Sequence, residues 1–107
     1  MQPFYERATL ITDRGDYLFD FALDTLATWS LIPQEVAVEL GIEPYESVPI
    51  ETAGGAQMIP MASVMVSFHG GPPMPVQFLL VPSSVMALGQ DVIRRFQLLT
   101  QNTVIEQ

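Results

Sequence analysis

Asp24 is the residue of this chain that is best placed to carry out chemistry. It follows the apolar segment 17–23, which is rich in strand-forming residues, and it opens the short run 25–28, Thr-Leu-Ala-Thr. A carboxylate at the end of an apolar strand is costly to desolvate unless it is hydrogen-bonded or has a task. Asp24 is therefore either a functional carboxylate or one that backbone N–H groups satisfy.

The rest of the sequence offers no comparable candidate for a catalytic or metal-binding site. Its one histidine, His69, precedes the turn 70–73 (Gly-Gly-Pro-Pro), with no second His and no Asp or Glu at ligand spacing. The chain has no cysteines, which excludes disulfides and thiolate metal sites. We expect His69 to be a surface residue beside a turn, and we expect neither a metal ion nor a cofactor.

Charge narrows the class of partner. The formal net charge is −8 with only four Lys and Arg residues, and only Arg94 and Arg95 are adjacent. Nucleic acids and anionic membranes bind clustered basic residues, so no nucleic acid and no membrane is expected as a partner. The sequence has no apolar run of membrane-spanning length and no signal-peptide pattern, which makes a cytoplasmic location the default expectation.

The length of 107 residues indicates one domain over residues 1–107. Hydrophobic residues make up 49% of the chain and charged residues only 15%, against a usual charged share of about a quarter. Two explanations are open at this point. The apolar surface is covered by a second subunit, or it is buried in a small, dense β core.

The apolar pattern predicts seven or eight strands and two short helices. Strands are expected at 7–12, 17–23, 47–53, 57–68 and 74–81, with a final hairpin within 97–105. Both faces of the 17–23 segment are largely apolar, as in a strand inside a sandwich or closed barrel. Pro33 and Gly41 delimit a predicted helix at 34–40, and a second helix is predicted at 90–96. The chain is therefore expected to be mainly β.

A glycine-rich turn separates two of these strands. Residues 53–56 read Ala-Gly-Gly-Ala, which makes a turn with almost no side chain. Pro60 interrupts the strand that follows, so its first part should be an edge or a projecting arm rather than a central strand. Considered alone, the segment is an ordinary β-hairpin.

Three short motifs together resemble the retropepsin-like (retroviral-type) aspartic proteases. The run 24–27, Asp-Thr-Leu-Ala, resembles their catalytic loop, with Leu26 in place of the motif glycine. Gly54 and Gly55 correspond to their flap tip, and the run 87–93, Ala-Leu-Gly-Gln-Asp-Val-Ile, resembles the strand and helix start near their C-terminus. In addition, the run 30–33, Ser-Leu-Ile-Pro, is similar to the segment that follows the catalytic loop in cellular and bacterial members. The resemblance spans roughly residues 15–100.

The resemblance implies an all-β, closed-barrel-like retropepsin fold that acts as a homodimer. Because the chain holds only one Asp-Thr pair, each subunit would supply one Asp24 to a shared catalytic dyad. Two carboxylates about 3 Å apart share one proton, and together they activate a water molecule against a peptide bond. The implied activity is that of an aspartic endopeptidase with peptide or protein substrates.

The resemblance also assigns roles to the residues around Asp24. Thr25, Leu26 and Ala27 would support the active-site loop. Substrate would be bound by residues of the floor, the flap and the strand before the second helix, namely Thr28, Ala53, Gly54, Gly55, Leu88 and Gly89. Many retroviral members have an ion pair between the positions of Thr28 and Gln90. Here both residues are neutral, so any link there must be a neutral hydrogen bond.

Leu26 bears on activity, because glycine at this position lets a peptide backbone approach without meeting a Cβ. If the leucine side chain points into the cleft, substrate binding is expected to be impaired or the site silenced. The alternative function is a non-catalytic dimeric module that binds peptides or serves assembly on the same fold. A third interpretation is a plain small β domain in which backbone N–H groups satisfy Asp24.

Overall fold

The computed structural model describes residues 4–98, and the structural statements below concern that part of the chain. In chain order its strands are β1 (Tyr5–Thr12), β2 (Gly15–Leu23), β3 (Ser30–Pro33), β4 (Glu46–Thr52), β5 (Gly55–Phe68), β6 (Met74–Val81) and β7 (Ala87–Leu88). The helices are α1 (Gln34–Leu40) and α2 (Gln90–Phe96). Residues 97–98 form a turn after α2. The rest of the predicted closing hairpin lies outside the described residues.

Six of the strands form a closed barrel. Their order is β1-β2-β7-β3-β6-β5, and β5 pairs again with β1 to close the ring. Antiparallel ladders join β1 to β2 and β5 to β6, whereas β3 runs parallel to β6 and β7 runs parallel to β2. A closed ring leaves its strands without the unpaired edges of an open sheet. The predicted closed barrel with two short helices is confirmed.

Alternating side chains fill the interior of the barrel. On β2, Phe21 is fully buried and Phe19 packs against the same core, while Asp20 between them and Leu18 before Phe19 are exposed. The ring of Phe21 stacks on that of Phe78 from β6, with 5.9 Å between the ring centroids. This period of two is what a strand with one face on a core requires.

Both helices pack on the barrel, and both have the predicted bounds. Helix α1 begins after Pro33 and ends at Leu40, before Gly41, and it buries Ala37 and Leu40. Helix α2 buries Val92 in the same core. Neither helix of residues 4–98 is long and apolar enough to cross a membrane.

The hairpin formed by β4 and β5 extends beyond the barrel. Strand β4 pairs only with β5, and residues 55–60 of β5 pair only with β4. Pro60 lies opposite Ser47 in this ladder, in the part of β5 that was expected to be an edge or an arm. A second apolar cluster, separate from the barrel core, lies at the base of the hairpin: Ile59, Met61 and Leu79, with Trp29, Leu31, Val48, Ile50 and Val81 packed against them.

Candidate active site

Asp24 lies directly after β2, as predicted, and its side chain is exposed. Its backbone N–H donates to the carbonyl of Leu88 at 3.0 Å, which continues the pairing of β2 with β7 by one residue. Its carboxylate oxygen Oδ1 accepts a hydrogen bond from the backbone N–H of Leu26 at 3.0 Å. The backbone of Asp24 is thus fixed to the barrel while one face of its carboxylate remains open to solvent.

The loop after Asp24 is a tight turn tied to helix α2. The N–H of Ala27 donates to the carbonyl of Asp24 at 3.2 Å. The backbone N–H of Gln90 donates to the carbonyl of Ala27 at 2.8 Å, and the Gln90 side-chain amide donates to the carbonyl of Thr25. The link between this loop and Gln90 is neutral, as expected. Its acceptors are the Thr25 and Ala27 carbonyls, and Thr28 is exposed at a bend.

Gly89, the residue before Gln90, also lies against this loop. A Cβ at this position would stand 2.6 Å from the carbonyl oxygen of Trp29 and 2.9 Å from that of Ala27. Such distances are shorter than any normal contact, so only glycine allows β7 and the loop to approach this closely. The side chain of Leu88 lies in the barrel core. Leu88 therefore reaches the site through its carbonyl rather than through its side chain.

Ser30 lies in the interior and contacts the junction where β7 ends and α2 begins. Its side chain is fully buried, and its Oγ accepts a hydrogen bond from the N–H of Gly89 at 3.0 Å. The same hydroxyl donates to Oδ1 of Asp91 on α2 at 3.3 Å. A buried N–H without a partner is costly, so Ser30 stabilises the junction of β7 and α2.

Leu26 projects away from the protein. Its relative exposure is 92%, which is the highest of the large hydrophobic residues that are exposed in the described chain. The side chain therefore does not occupy the space beneath the loop. It stands free in solvent beside Asp24.

The tip of the β4–β5 hairpin is small and exposed. The Thr52 hydroxyl accepts a hydrogen bond from the N–H of Gly54 at 3.2 Å and donates to the carbonyl of Gly55 at 2.7 Å. Gly55 has φ +103°, a conformation that side-chain-bearing residues rarely adopt. Ala53 is exposed in the turn. Within residues 4–98 no hydrogen bond joins this tip to the Asp24 loop.

Trp29 is a site residue that the sequence reasoning did not single out. It is half-buried, and it packs against the second apolar cluster at the base of the hairpin. Trp29 and Leu31 flank the buried Ser30, so the order apolar-polar-apolar marks a strand with two different faces. That alternation was the available signal, although it spans only three residues.

The described residues bring together no group of three His, Asp or Glu side chains that could hold a metal ion. His69 is exposed beside its turn, with Nε2 at 2.8 Å from a carboxylate oxygen of Glu6. Two surface depressions, of about 530 and 320 Å³, lie elsewhere, and Asp24 lines neither of them. Asp24 therefore lies on an open surface of the chain.

Comparison with solved structures gives this fold its class. A structure of EIAV protease complexed with the inhibitor HBY-793 matches with a TM-score of 0.73 and 18% identity, over 90% of this chain and 89% of that one. The solution structure of simian foamy virus (mac) protease matches with a TM-score of 0.64 and 14% identity, over 88% of this chain and 96% of that one. No protein-family model and no curated protein matches the sequence. The chain has the retropepsin-like fold of retroviral proteases, which confirms the predicted fold.

Proposed function

We propose that this chain is an aspartic endopeptidase that acts as a homodimer, with one Asp24 from each subunit in a shared dyad. The main support is the exposed Asp24 carboxylate, held on a loop that the barrel fixes at β7 and α2, in a chain with the fold of retroviral proteases. The sequence holds a single Asp-Thr pair. A dyad therefore needs a second copy of the chain.

The chemistry follows from two carboxyl groups that share one proton. The ionised carboxylate takes a proton from a water molecule, whose oxygen attacks the carbonyl carbon of the peptide bond. The protonated carboxyl donates its proton to the carbonyl oxygen, which gives a neutral tetrahedral intermediate. When the intermediate collapses, the leaving nitrogen takes the proton that the first carboxyl took from water. A hydroxyl proton of the intermediate returns to the second carboxylate, and the C–N bond breaks. The products are a carboxylic acid and an amine, and the dyad needs no covalent intermediate.

The loop contributes orientation. The Leu26 N–H holds one oxygen of the Asp24 carboxylate, and the Asp24 N–H is held in turn by the Leu88 carbonyl. A displacement of the reacting groups by about 1 Å can lower the rate a hundredfold. Because the barrel fixes the Asp24 loop in both protomers, the two carboxylates of the dyad would keep their relative positions.

The β4–β5 hairpin is proposed as the flap that closes over an extended peptide. In the described residues β4 pairs on one side only, so it has free N–H and C=O groups along its outer edge. An extended peptide can bind such a hairpin as an added strand. The tip residues Ala53 to Gly55 carry almost no side chain, so they would let the backbone of the flap approach the substrate.

Leu26 favours a second candidate, a dimeric peptide-binding module without catalysis. Its side chain is 92% exposed beside Asp24, so in a dimer two leucines would stand next to the dyad. They would obstruct the approach of the substrate backbone or displace the catalytic water. The proposed peptidase is therefore expected to be slower than its Leu26→Gly variant.

Three proteins distinguish the candidates: the parent chain, Asp24→Asn and Leu26→Gly. Each would be incubated with a diverse peptide library from about pH 3 to 7, because a dyad that shares a proton works only when it is singly protonated. Loss of the acid–base group is expected to lower the rate by about 10²–10⁴. Circular dichroism and sedimentation would check that Asp24→Asn remains a folded dimer.

Cleavage by the parent or by Leu26→Gly supports the peptidase if the activity is lost when the Asp24→Asn substitution is introduced into the same chain. Titrating the active protein with an excess of Asp24→Asn should also lower its activity, because each mixed dimer holds one aspartate. Activity that is unaffected by this titration would contradict a dyad shared between chains. No cleavage by a folded Leu26→Gly dimer would replace the peptidase with the binding module.

A further inference from the structure

Gln90 holds the Asp24 loop at two points that flank Leu26. Its backbone N–H binds the carbonyl of Ala27, and its side-chain amide binds the carbonyl of Thr25. With the carbonyls on both sides turned toward α2, the Leu26 side chain projects into solvent. The N–H of Leu26 lies 3.0 Å from Oδ1 of Asp24. The orientation of the Asp24 carboxylate thus depends on a turn that Gln90 closes.

We propose that Gln90 is a positioning residue for Asp24, and that its neutral amide keeps the loop in place at acidic pH. The inference rests on the proposed function only for its effect on catalysis, because the hydrogen bonds exist in the single chain. An ion pair at this position would be lost when its carboxylate takes up a proton. An amide does not titrate, so its bond to the Thr25 carbonyl persists where a shared-proton dyad works.

The remaining contacts of the junction allow this role to be isolated. The Gly89 N–H is held by Ser30 and the Asp24 N–H by the Leu88 carbonyl, each at 3.0 Å. Neither bond involves the side chain of Gln90. Changing that side chain should therefore leave the barrel folded and alter the turn at Thr25 and Leu26.

Gln90→Glu is the sharpest probe because it keeps the shape and changes only the donor. Above a pH of about 5 the new carboxyl is mostly ionised, has no proton to donate and repels the Thr25 carbonyl. At about pH 3.5 it is mostly protonated and can donate to that carbonyl again. Asp24 is the charged residue of the loop that Gln90 binds, and α2 carries Asp91 and Arg94. Each variant is therefore compared with the parent at the same pH.

Hydrogen exchange of the Leu26 amide, followed by NMR, measures how firmly Gln90 holds the loop, and it does not depend on enzymatic activity. At about pH 6 the Leu26 amide of Gln90→Glu should exchange about three- to tenfold faster than in the parent, as expected for the loss of one modest hydrogen bond. At about pH 3.5 the difference should disappear. Gln90→Ala should exchange faster than the parent at both pH values.

Gln34→Glu is the matched control, because the Gln34 side-chain amide also donates to a backbone carbonyl, that of Leu80 at 3.2 Å. It makes the same chemical change outside the Asp24 loop, and it should leave Leu26 exchange at the parent rate. Leu26 exchange that is unchanged in both Gln90 variants at both pH values would overturn the inference. Equal acceleration in Gln34→Glu would also overturn it, because the effect would then be one of general charge.

Peptide cleavage gives the second readout. In Gln90→Glu, kcat should be lower than the parent value at about pH 6 and return to it near pH 3.5, with KM nearly constant. A fall in kcat by the same factor at every pH would contradict the positioning role. If the proposed peptidase activity itself fails in the parent, the exchange experiment alone decides the role of Gln90.

Discussion

The Asp24 loop and the β4–β5 hairpin are held in the protein in opposite ways. The loop is joined to β7 and α2 by hydrogen bonds through Leu88, Gln90 and the Ser30–Gly89 contact. The hairpin has a ladder on one side, a small apolar cluster at its base and an exposed tip. Polar contacts to two other elements fix a position, whereas a one-sided ladder over a small cluster permits opening.

This difference suits a site in which the reacting group must stay fixed and the covering element must move. A catalytic carboxylate loses rate when it is displaced, so its loop gains from rigid support. A segment that admits and releases a substrate comes from the less stable part of a fold. Substitutions beside the loop are therefore expected to differ in their effects from matched substitutions in the hairpin.

The largest difference is expected between two glycine-to-alanine substitutions. In Gly89→Ala the new Cβ would lie 2.6 Å from the carbonyl oxygen of Trp29, so backbone must move. We expect a loss of about 3 kcal/mol in the free energy of unfolding. In Gly54→Ala the nearest atom is the Thr52 hydroxyl at 3.9 Å, and the change should stay within about 0.5 kcal/mol.

Urea unfolding at one fixed protein concentration measures both glycine variants. Similar losses in the two would show that the junction at Gly89 is no tighter than the tip of the hairpin.

The next effect concerns two hydroxyl groups that satisfy backbone N–H groups. Ser30→Ala leaves the buried N–H of Gly89 without its partner and should cost about 1–3 kcal/mol. Thr52→Ala removes hydrogen bonds at the exposed tip, where water replaces them, and should cost about 0.5 kcal/mol or less. The same unfolding experiment ranks them, and the reverse order would contradict the comparison.

A smaller, local effect is expected at Trp29, which contacts the cluster under the hairpin. Trp29→Ala should lower the free energy of opening of the hairpin by about 1 kcal/mol, so hydrogen exchange of the β4 amides should be roughly fivefold faster. Trp29→Phe keeps an aromatic ring and should stay near the parent rate. Amides of β1 and β2 serve as the internal reference. If they accelerate as much as β4, Trp29 stabilises the whole barrel and does not act on the hairpin.

The smallest effect needs no substitution. In the unliganded protein, backbone relaxation should show residues 53–56 as more mobile on the nanosecond scale than residues 64–68 of the same hairpin strand. The tip has little side chain, while residues 64–68 pair with β6 or β1. Equal order parameters in the two segments would mean that the hairpin is a rigid turn.

Elements with local signals could be predicted from the sequence. Pro33 and Gly41 give α1 its bounds, a run of strand-forming apolar residues gives β2, and alternation gives the second half of β5. Strand β3 was not predicted, because it has only four residues, ends in proline and pairs with β6, far along the chain. Short strands whose partners are distant carry little signal of their own.

The candidate site divides in the same way. Asp24 was found because a carboxylate after an apolar strand is unusual in any fold. The outward direction of Leu26 and the contact of Trp29 with the hairpin depend on how distant segments approach one another. The choice of the Thr25 carbonyl as the acceptor of the Gln90 amide also depends on how these segments approach one another. Sequence reasoning therefore identified the candidate acid–base group and missed most of the contacts that position it.

The distance between two Asp24 carboxylates in the assembled protein tests the central claim most directly. A crystal structure of the parent chain should show a two-fold axis beside the Asp24 loop, with the nearest carboxyl oxygens of the two chains about 3 Å apart. In each chain the Leu26 N–H should still bind its own Asp24. A dimer whose axis leaves Asp24 on the outer surface, or a chain that is monomeric at every concentration, would contradict the proposal.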